Sequence, residues 1–208
     1  MQTSAENTKY EFVQGCTIKH EGKLLTRIRA LRDIEGVCKK GDLGGYLESE
    51  KNLAYEGNSW VSNNAHVYDN ARVTNNACVS GSACITGSAC ITGSACVYDS
   101  ACVYGSAHVY GNACVYGSAC VYDSACVSSQ GAIFWTSNVG TENGTLTVYL
   151  TKDNSLQVIR GCFIGSVDEF LAASKEKHDD RVHNEYQLLI QVARSRIEHS
   201  LKEIEKTQ

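Results

Sequence analysis

Small and aliphatic residues recur at a fixed spacing of six through the middle of the chain. Residues 52–129 divide into thirteen consecutive hexads with the consensus [N/S]-A-x-[V/I]-[Y/T/S]-[G/D/N]. Ala holds the second position without a break from Ala65 to Ala125, and Val or Ile holds the fourth from Val61 to Val127. Because side chains alternate across a strand, the Ala and Val columns share one face and the x column lies on the other. The pattern predicts a short strand in every hexad and a narrow core of Ala and Val.

The sixth position of each hexad holds a residue type that tolerates a positive φ. From Gly57 to Asp123 this column contains only Gly, Asn and Asp, and only the last hexad departs, with Ser129. Such a column predicts a corner in the left-handed region after each strand. Three strands and three corners make a triangular coil of eighteen residues, and successive coils stack at the interstrand spacing of ~4.8 Å. The chain has no proline, which fits a ladder in which every N–H is needed.

The hexads resemble the [LIV]-G-x-N-A-x signature of the hexapeptide-repeat superfamily, for example at residues 109–114, Val-Tyr-Gly-Asn-Ala-Cys. That resemblance implies a left-handed parallel β-helix, whereas periodicity alone gives the coil but not its hand. A closer resemblance, to YdcK-like proteins of bacteria and their phages, rests on residues 41–46 (Gly-Asp-Leu-Gly-Gly-Tyr) before the Trp60 hexad, and on residues 139–143 and 161–170. It implies a phage or prophage origin and no assigned chemistry.

The charged residues lie outside the repeat. Residues 1–51 contain seventeen Asp, Glu, Lys or Arg and residues 130–208 contain twenty, against five in the repeat. Since solenoids need polar caps on their open ends, we expect residues 1–51 to form a β-rich cap. Residues 10–37 are expected to be strands with a turn at 21–23. Residues 130–208 are expected to form a β-hairpin (146–150 and 156–160) and two helices (168–177 and 181–206), with 161–163 as a turn. The fold class is therefore mainly β.

The x column forms three outward ladders, because positions eighteen residues apart stack. One face carries Trp60, Cys78, Cys96 and Cys114; a second carries His66, Cys84, Cys102 and Cys120; the third carries Arg72, Cys90, His108 and Cys126. Tyrosines follow these positions in the next column. Contiguous uncharged faces usually mark interfaces. The candidate interaction residues are Cys84, Cys102, Cys120, Tyr104, Tyr122, Cys96, Cys114, Tyr98, Tyr116 and His108. The alternative is that Cys only stacks well on a β surface as a small, soft residue.

Other chemistry for the ladders is disfavoured by their geometry. Cys90, His108 and Cys126 share a face, but ligands in one flat ladder splay in parallel instead of converging on a metal. Nothing marks one cysteine as a nucleophile, and a reducing cytosol argues against disulfides. Ice binding would need Thr ladders, and only Thr74, Thr86 and Thr92 would contribute. We therefore expect no metal and no cofactor.

The functional expectation is a non-enzymatic protein-binding or scaffold protein that acts through its flat faces and its C-terminal module. It forms a homo-oligomer (dimer or trimer) or binds a different protein, with inhibition of a host defence protein as a sub-hypothesis taken from the phage resemblance. The alternative is an acyltransferase-type enzyme with its active site at a subunit interface, for which His66 and His108 are the repeat's histidines. The net charge of -4 argues against nucleic-acid binding. With no apolar run long enough for a bilayer and a polar segment at 1–10, we expect a cytoplasmic location, in the host if the protein is phage-encoded.

Overall fold

The computed structural model describes residues 7–207 and is mainly β. It contains a parallel β-solenoid of about 5 turns, a four-stranded antiparallel sheet and two helices, which confirms the predicted fold class. The hand of the coil stays a prediction. The expectation that the polar segment 1–10 is not a signal peptide falls partly on residues 1–6, which lie outside the described residues.

Three strands precede the repeat: β1 (Tyr10–His20), β2 (Lys23–Ala30) and β3 (Leu43–Leu47). The β1–β2 turn falls at Glu21 and Gly22, both with positive φ, as the turn at 21–23 predicted. A 3₁₀ turn (Glu50–Asn52) then leads into twelve two-residue strands: β4 (Trp60–Val61), β5 (His66–Val67), β6 (Arg72–Val73), β7 (Cys78–Val79), β8 (Cys84–Ile85), β9 (Cys90–Ile91), β10 (Cys96–Val97), β11 (Cys102–Val103), β12 (His108–Val109), β13 (Cys114–Val115), β14 (Cys120–Val121) and β15 (Cys126–Val127).

These strands stack into three parallel sheets that enclose the core. The orders are β4-β7-β10-β13, β5-β8-β11-β14 and β6-β9-β12-β15, with β3 parallel to β5 at the top of the second sheet and β2 and β1 added antiparallel beyond it. Cys96 pairs with Cys78 and Cys114, so neighbours are eighteen residues apart as predicted. The Ala column from Ala65 to Ala125 and the Val/Ile column from Val61 to Val127 are fully buried.

The predicted corners are confirmed at every coil position from residue 57 to residue 123. Each of the twelve Gly, Asn and Asp residues in the sixth column has a positive φ, between 55° and 71°. From Asn63 to Asp99, the N–H after each of the seven corners donates to the carbonyl of the equivalent corner one coil on, for example Ser82 N to Asp99 O at 2.6 Å. The corners are therefore part of the hydrogen-bonded ladder.

Two glycines of the 41–46 segment are required by close packing. A Cβ on Gly44 would lie 2.5 Å from Ile28 Cγ1 and 2.7 Å from the carbonyl oxygen of Val61. A Cβ on Gly45 would lie 2.6 Å from the carbonyl oxygen of Ala65. Both glycines lie in β3. The strand can approach the first coil this closely only because these two positions carry no side chain.

After a 3₁₀ turn (Gln130–Ala132), the chain forms β16 (Ile133–Val139), β17 (Gly144–Leu150), β18 (Leu156–Arg160) and β19 (Phe163–Ser166), and then α1 (Val167–Lys177) and α2 (Asp180–Thr207). The predicted hairpin is present as β17 and β18, but β16 and β19 extend it to an antiparallel sheet in the order β16-β17-β18-β19. Residues 161 and 162 form the expected turn, with Gly161 at φ 59°. Ser166 caps α1, accepting from Glu169 N at 3.3 Å.

The C-terminal sheet closes the last coil of the solenoid. Thr147 Oγ1 accepts from Cys120 N at 3.3 Å, and the Tyr149 hydroxyl both accepts from Tyr122 N (3.3 Å) and donates to Tyr122 O (3.0 Å). Strand β17 thus supplies side-chain partners to the backbone of the edge strand β14 and the residue after it. An open sheet edge would otherwise present these groups for pairing with another chain.

Candidate interaction faces

The three ladders are placed as the repeat predicted. We call the face of Trp60, Cys78, Cys96 and Cys114 the first face, since β4, β7, β10 and β13 pair in that register. The second face carries His66, Cys84, Cys102 and Cys120, and the third carries Arg72, Cys90, His108 and Cys126. All eight ladder cysteines are free thiols of intermediate exposure. Trp60 is an exception to the outward pattern because it is buried.

Burial favours the protonated form of several ladder thiols. Desolvation raises the pKa of Cys78, Cys84 and Cys96 above the ordinary value, because a thiolate is stabilised less where water is excluded. Cys102 and Cys120, neighbours on β11 and β14, share a hydrogen bond that raises the pKa of Cys102 and lowers that of Cys120 to about 7. Of these two thiols, Cys120 therefore ionises more readily than Cys102.

The second face is covered at both ends. At the N-terminal end the β1–β2 turn lies on it: the His20 and His66 rings are 4.6 Å apart, and Tyr68 donates to Glu21 Oε2 at 2.9 Å. Cys84 Sγ lies 3.5 Å from the Tyr68 hydroxyl and 4.0 Å from His20 Nε2. Lys23 forms ion pairs with Glu48 (3.2 Å) and Asp69 (2.7 Å) that fasten the turn.

At the C-terminal end, the contacts of Thr147 and Tyr149 described above occupy the backbone beside Cys120 and Tyr122. Between the two ends, Tyr104 and Tyr122 pack with ring centroids 4.5 Å apart. The second face therefore offers a shorter open surface than its ladder of four residues indicates. His20 and Glu21 were not among the predicted site residues, because a turn more than sixty positions before Cys84 leaves no trace in the hexad pattern.

The first face carries a groove at its C-terminal end. Tyr98 and Tyr116 stack with centroids 4.9 Å apart and an interplanar angle of 4°, and Trp135 from β16 meets Tyr116 edge-on at 4.4 Å. Gln130 donates to Cys114 Sγ at 3.5 Å. We call this cleft the aromatic groove; it has a volume of about 400 Å³ and is lined by Tyr98, Cys114, Tyr116, Gln130, Ile133, Phe134, Trp135 and Arg196.

The aromatic groove joins predicted and unpredicted residues. Tyr98, Cys114 and Tyr116 were candidates from the repeat, whereas Trp135 and Arg196 come from β16 and α2. The predicted residue Cys96 pairs with Cys114 on the same face. Charge on the groove comes from Arg196, which is exposed.

The third face holds His108 without side-chain support. Burial and the nearby Lys152 lower the pKa of His108, so the imidazole is neutral at pH 7. Within the part of the chain that the structure describes, no hydrogen bond from another side chain orients this ring. A general base is normally held by such a partner, and the other polar contacts on this face, Thr74 to Thr92 at 2.9 Å and Tyr110 to Cys126 at 3.4 Å, do not reach it.

A scan against protein-family models and a search of curated proteins returned no match. The stacked hexads are consistent with a hexapeptide-repeat fold, and the YdcK-like resemblance stays a prediction. Among residues 7–207, no three or more His, Cys, Asp or Glu side chains are grouped so that they could hold a metal ion. The helices of the same region include none that is long and apolar enough to cross a membrane.

Proposed function

We propose that this chain is a non-enzymatic binding protein whose protein partner docks in the aromatic groove of the first face. The observation that carries the proposal is the arrangement of Tyr98, Tyr116 and Trp135 in one open cleft with Arg196 at its side. Tyr, Trp and Arg are the residues that dominate binding energy at protein interfaces. Tyr116 is 40% exposed although its ring has two aromatic neighbours, so a partner can still bury a large apolar area there.

The groove also favours a particular kind of partner. Tyr98 and Tyr116 stack on adjacent coils of the solenoid and Trp135 packs against Tyr116, so little side-chain entropy is lost on binding. Its formal charge comes from the guanidinium of Arg196. We infer a partner segment with apolar side chains next to an Asp or Glu. The phage resemblance supports a host protein as the partner that carries this segment. It also supports the host cytoplasm as the place where the complex forms.

A matched pair of tyrosine variants tests the groove. Tyr116 and Tyr110 occupy the same hexad column and are 40% and 37% exposed, but Tyr110 lies on the third face beside Cys126. The protein captured by wild type from host lysate is identified and purified, and its Kd is measured by calorimetry for wild type, Tyr116→Ala and Tyr110→Ala. We expect Tyr116→Ala to weaken binding at least about tenfold, as a hot-spot aromatic does. Equal losses in the two variants would show that the groove is not the contact.

A second copy of the chain is the competing occupant of the groove. Light scattering of wild type and Tyr116→Ala distinguishes it from a different protein. A wild-type dimer or trimer that Tyr116→Ala converts to monomer assigns the groove to self-association, and overturns docking of a different protein there. If Tyr116→Ala leaves the oligomeric state unchanged, the groove is available to bind a different protein.

The acyltransferase alternative is tested separately. Because His108 has no orienting partner among the described residues, we expect no turnover of acetyl-CoA with amine or hydroxyl acceptors. Turnover that His108→Ala abolishes, with the solenoid still folded by circular dichroism, would replace the non-enzymatic proposal.

A further inference from the structure

A second cavity lies in the C-terminal module, away from the repeat. It has a volume of about 360 Å³ and lies between the β18–β19 turn and the two helices. Its wall combines aromatic and cationic side chains, among them Arg160, Phe163, Phe170, Lys177, His178 and Tyr186. Ligand pockets for small molecules typically have this size and this mixture of apolar wall and few polar groups.

The apolar wall is a chain of three touching rings. Phe163 at the start of β19 meets Phe170 of α1 at 5.3 Å, and Phe170 meets Tyr186 of α2 at 5.1 Å. Phe170 and Tyr186 are buried, which fixes their positions. The three rings come from three elements, so the wall forms only when the sheet and both helices have packed together.

The cationic side is organised around Arg160, whose side chain is only 10% exposed. Its Nε donates to the Tyr186 hydroxyl at 3.1 Å and its Nη2 to the Val139 carbonyl at 3.0 Å. A Cβ on Gly144 would lie 2.3 Å from Nη1, so the guanidinium occupies space that only glycine leaves. The remaining edge, Nη1, faces Glu142 at 3.8 Å, beyond hydrogen-bond range, and Glu142 is 76% exposed.

The side chains that line the cavity therefore carry a net positive formal charge. Arg160 and Lys177 line it, against the single carboxylate of Glu142. A guanidinium held by neutral partners at Nε and Nη2, whose remaining nitrogen Nη1 has a carboxylate no nearer than 3.8 Å, is arranged to bind an anion. Because the Glu142 carboxylate is exposed to water, its attraction to Arg160 is weak. It can move into solvent when another anion takes its place at Arg160.

We propose that this cavity binds a small organic anion with a flat apolar body, placing a carboxylate or phosphate at Arg160 Nη1 and Lys177 and the body against the rings of Phe163, Phe170 and Tyr186. The site is separate from the aromatic groove, so either proposal can fail while the other stands. It would make the C-terminal module a ligand-binding unit as well as a cap.

The test uses the full chain and three probes of similar shape: benzoate, phenyl phosphate and benzylamine. Binding is followed by amide chemical-shift changes, with Lys177→Gln compared with Lys175→Gln. Both lysines are exposed in the last turn of α1, but Lys175 does not line the cavity, because residues two apart point to different sides of a helix. Lys177 is chosen over Arg160 because Arg160 also holds β16 through Val139.

We expect saturable binding of at least one anion that Lys177→Gln weakens about three- to tenfold and Lys175→Gln leaves unchanged, by loss of one ion pair near a partly buried site. The stronger of benzoate and phenyl phosphate identifies the carboxylate or the phosphate as the ligand group. Benzylamine binding as tightly as the anions, or equal effects of the two lysine variants, would overturn the proposal.

A thiol at the rim gives a second readout. Cys162 lines the cavity and is exposed, and Cys16 on β1 is exposed away from it. The bound anion should slow alkylation of Cys162 by iodoacetamide at least about threefold and leave Cys16 unaffected, because only Cys162 loses access. Unchanged Cys162 alkylation at saturating probe would place the bound anion elsewhere and overturn the assignment.

Discussion

Lys9 is a fully buried lysine at the start of the fold. Its ammonium donates to the Ala54 carbonyl at 2.9 Å and to Ser59 Oγ at 3.0 Å, so it joins the chain before β1 to the first hexads. Burial first, and repulsion by Arg32 second, lower its pKa from 10.5 to about 8. Lys9 therefore stabilises the top of the solenoid by hydrogen bonds while its charge opposes burial.

This opposition predicts a pH-dependent effect of Lys9→Met. Between pH 8 and pH 10.5 the unfolded chain keeps the Lys9 proton and the folded chain releases it, so wild-type stability gains from this group as pH rises. Lys9→Met lacks that gain. We expect the destabilisation caused by Lys9→Met, measured by urea unfolding, to be smaller at pH 7.5 than at pH 10.

The matched control is Lys19→Met, which removes the same charge from an exposed position of β1. Ionising thiols and tyrosines remote from Lys9 affect wild type and both variants alike and cancel in the differences, whereas Cys38 and Cys78 feel the Lys9 charge and contribute to the Lys9→Met effect. A Lys9→Met effect that changes with pH no more than the control effect would contradict the burial argument.

At the level of the elements, glycine alternates with residues that carry side chains along one of the three corner columns. One corner column reads Asn63, Gly81, Asp99 and Gly117 through successive coils. A Cβ on Gly81 would lie 2.7 Å from Asp99 N and 2.8 Å from Asp99 O. The contacts are to backbone, which cannot move without disturbing the ladder. Glycine is thus required at this corner for two reasons: φ is positive, and the coils stack closely.

We predict that Gly81→Ala lowers the free energy of unfolding by about 1–3 kcal/mol, since a non-glycine residue at positive φ costs this much and the clash adds to it. Gly161→Ala is the control: Gly161 also has a positive φ, but nothing lies within 4 Å of its Cβ position. Urea unfolding should therefore show a smaller loss for Gly161→Ala. Equal losses would mean that φ alone, and not coil stacking, selects glycine at Gly81.

The same elements show what the sequence could and could not predict. Each hexad carries its own strand and corner signals, and twelve repetitions fix the register, so the buried columns, the corners and the three faces follow from local pattern. The aromatic groove does not, because Trp135 and Arg196 reach Tyr116 from elements outside the period. The packing of His20 and Glu21 against the second face likewise depends on contacts between residues far apart in the chain. In the C-terminal module, β16 and β19 were missed because only β17 and β18 alternate clearly.

At the scale of the whole molecule, the flanking units end the solenoid in different ways. The N-terminal strands continue the second sheet through β3, whereas the C-terminal sheet meets the last coil by side chains of β17. Tyr149 is buried, and burial raises the pKa of its hydroxyl. Its phenol is held between Tyr122 N, Tyr122 O and Gln157 Oε1, at 3.0–3.3 Å.

We therefore predict that Tyr149→Phe destabilises the protein by about 1–3 kcal/mol, because Tyr122 N loses its partner and Tyr122 O keeps only Ala125 N. Hydrogen exchange should also rise at Tyr122 N. Tyr98→Phe, which removes a hydroxyl from the aromatic groove, is the control and should stay within about 0.5 kcal/mol of wild type. A Tyr149→Phe protein as stable as the control, with Tyr122 N still protected, would show that β17 does not secure the last coil.

The register of eighteen residues also limits how the length of this protein can change through insertion and deletion. Adding or removing three hexads keeps Trp135 and Arg196 above the face that bears Tyr116, and changes only the length of the three faces. Adding a single hexad preserves every strand, corner and buried column, yet turns the C-terminal module by a third of a turn against the N-terminal hairpin. Related chains in which the groove keeps its position relative to the N-terminal hairpin should therefore differ in length by whole coils, whereas one or two hexads added between Tyr98 and Trp135 would separate the rings of the groove and leave the fold intact.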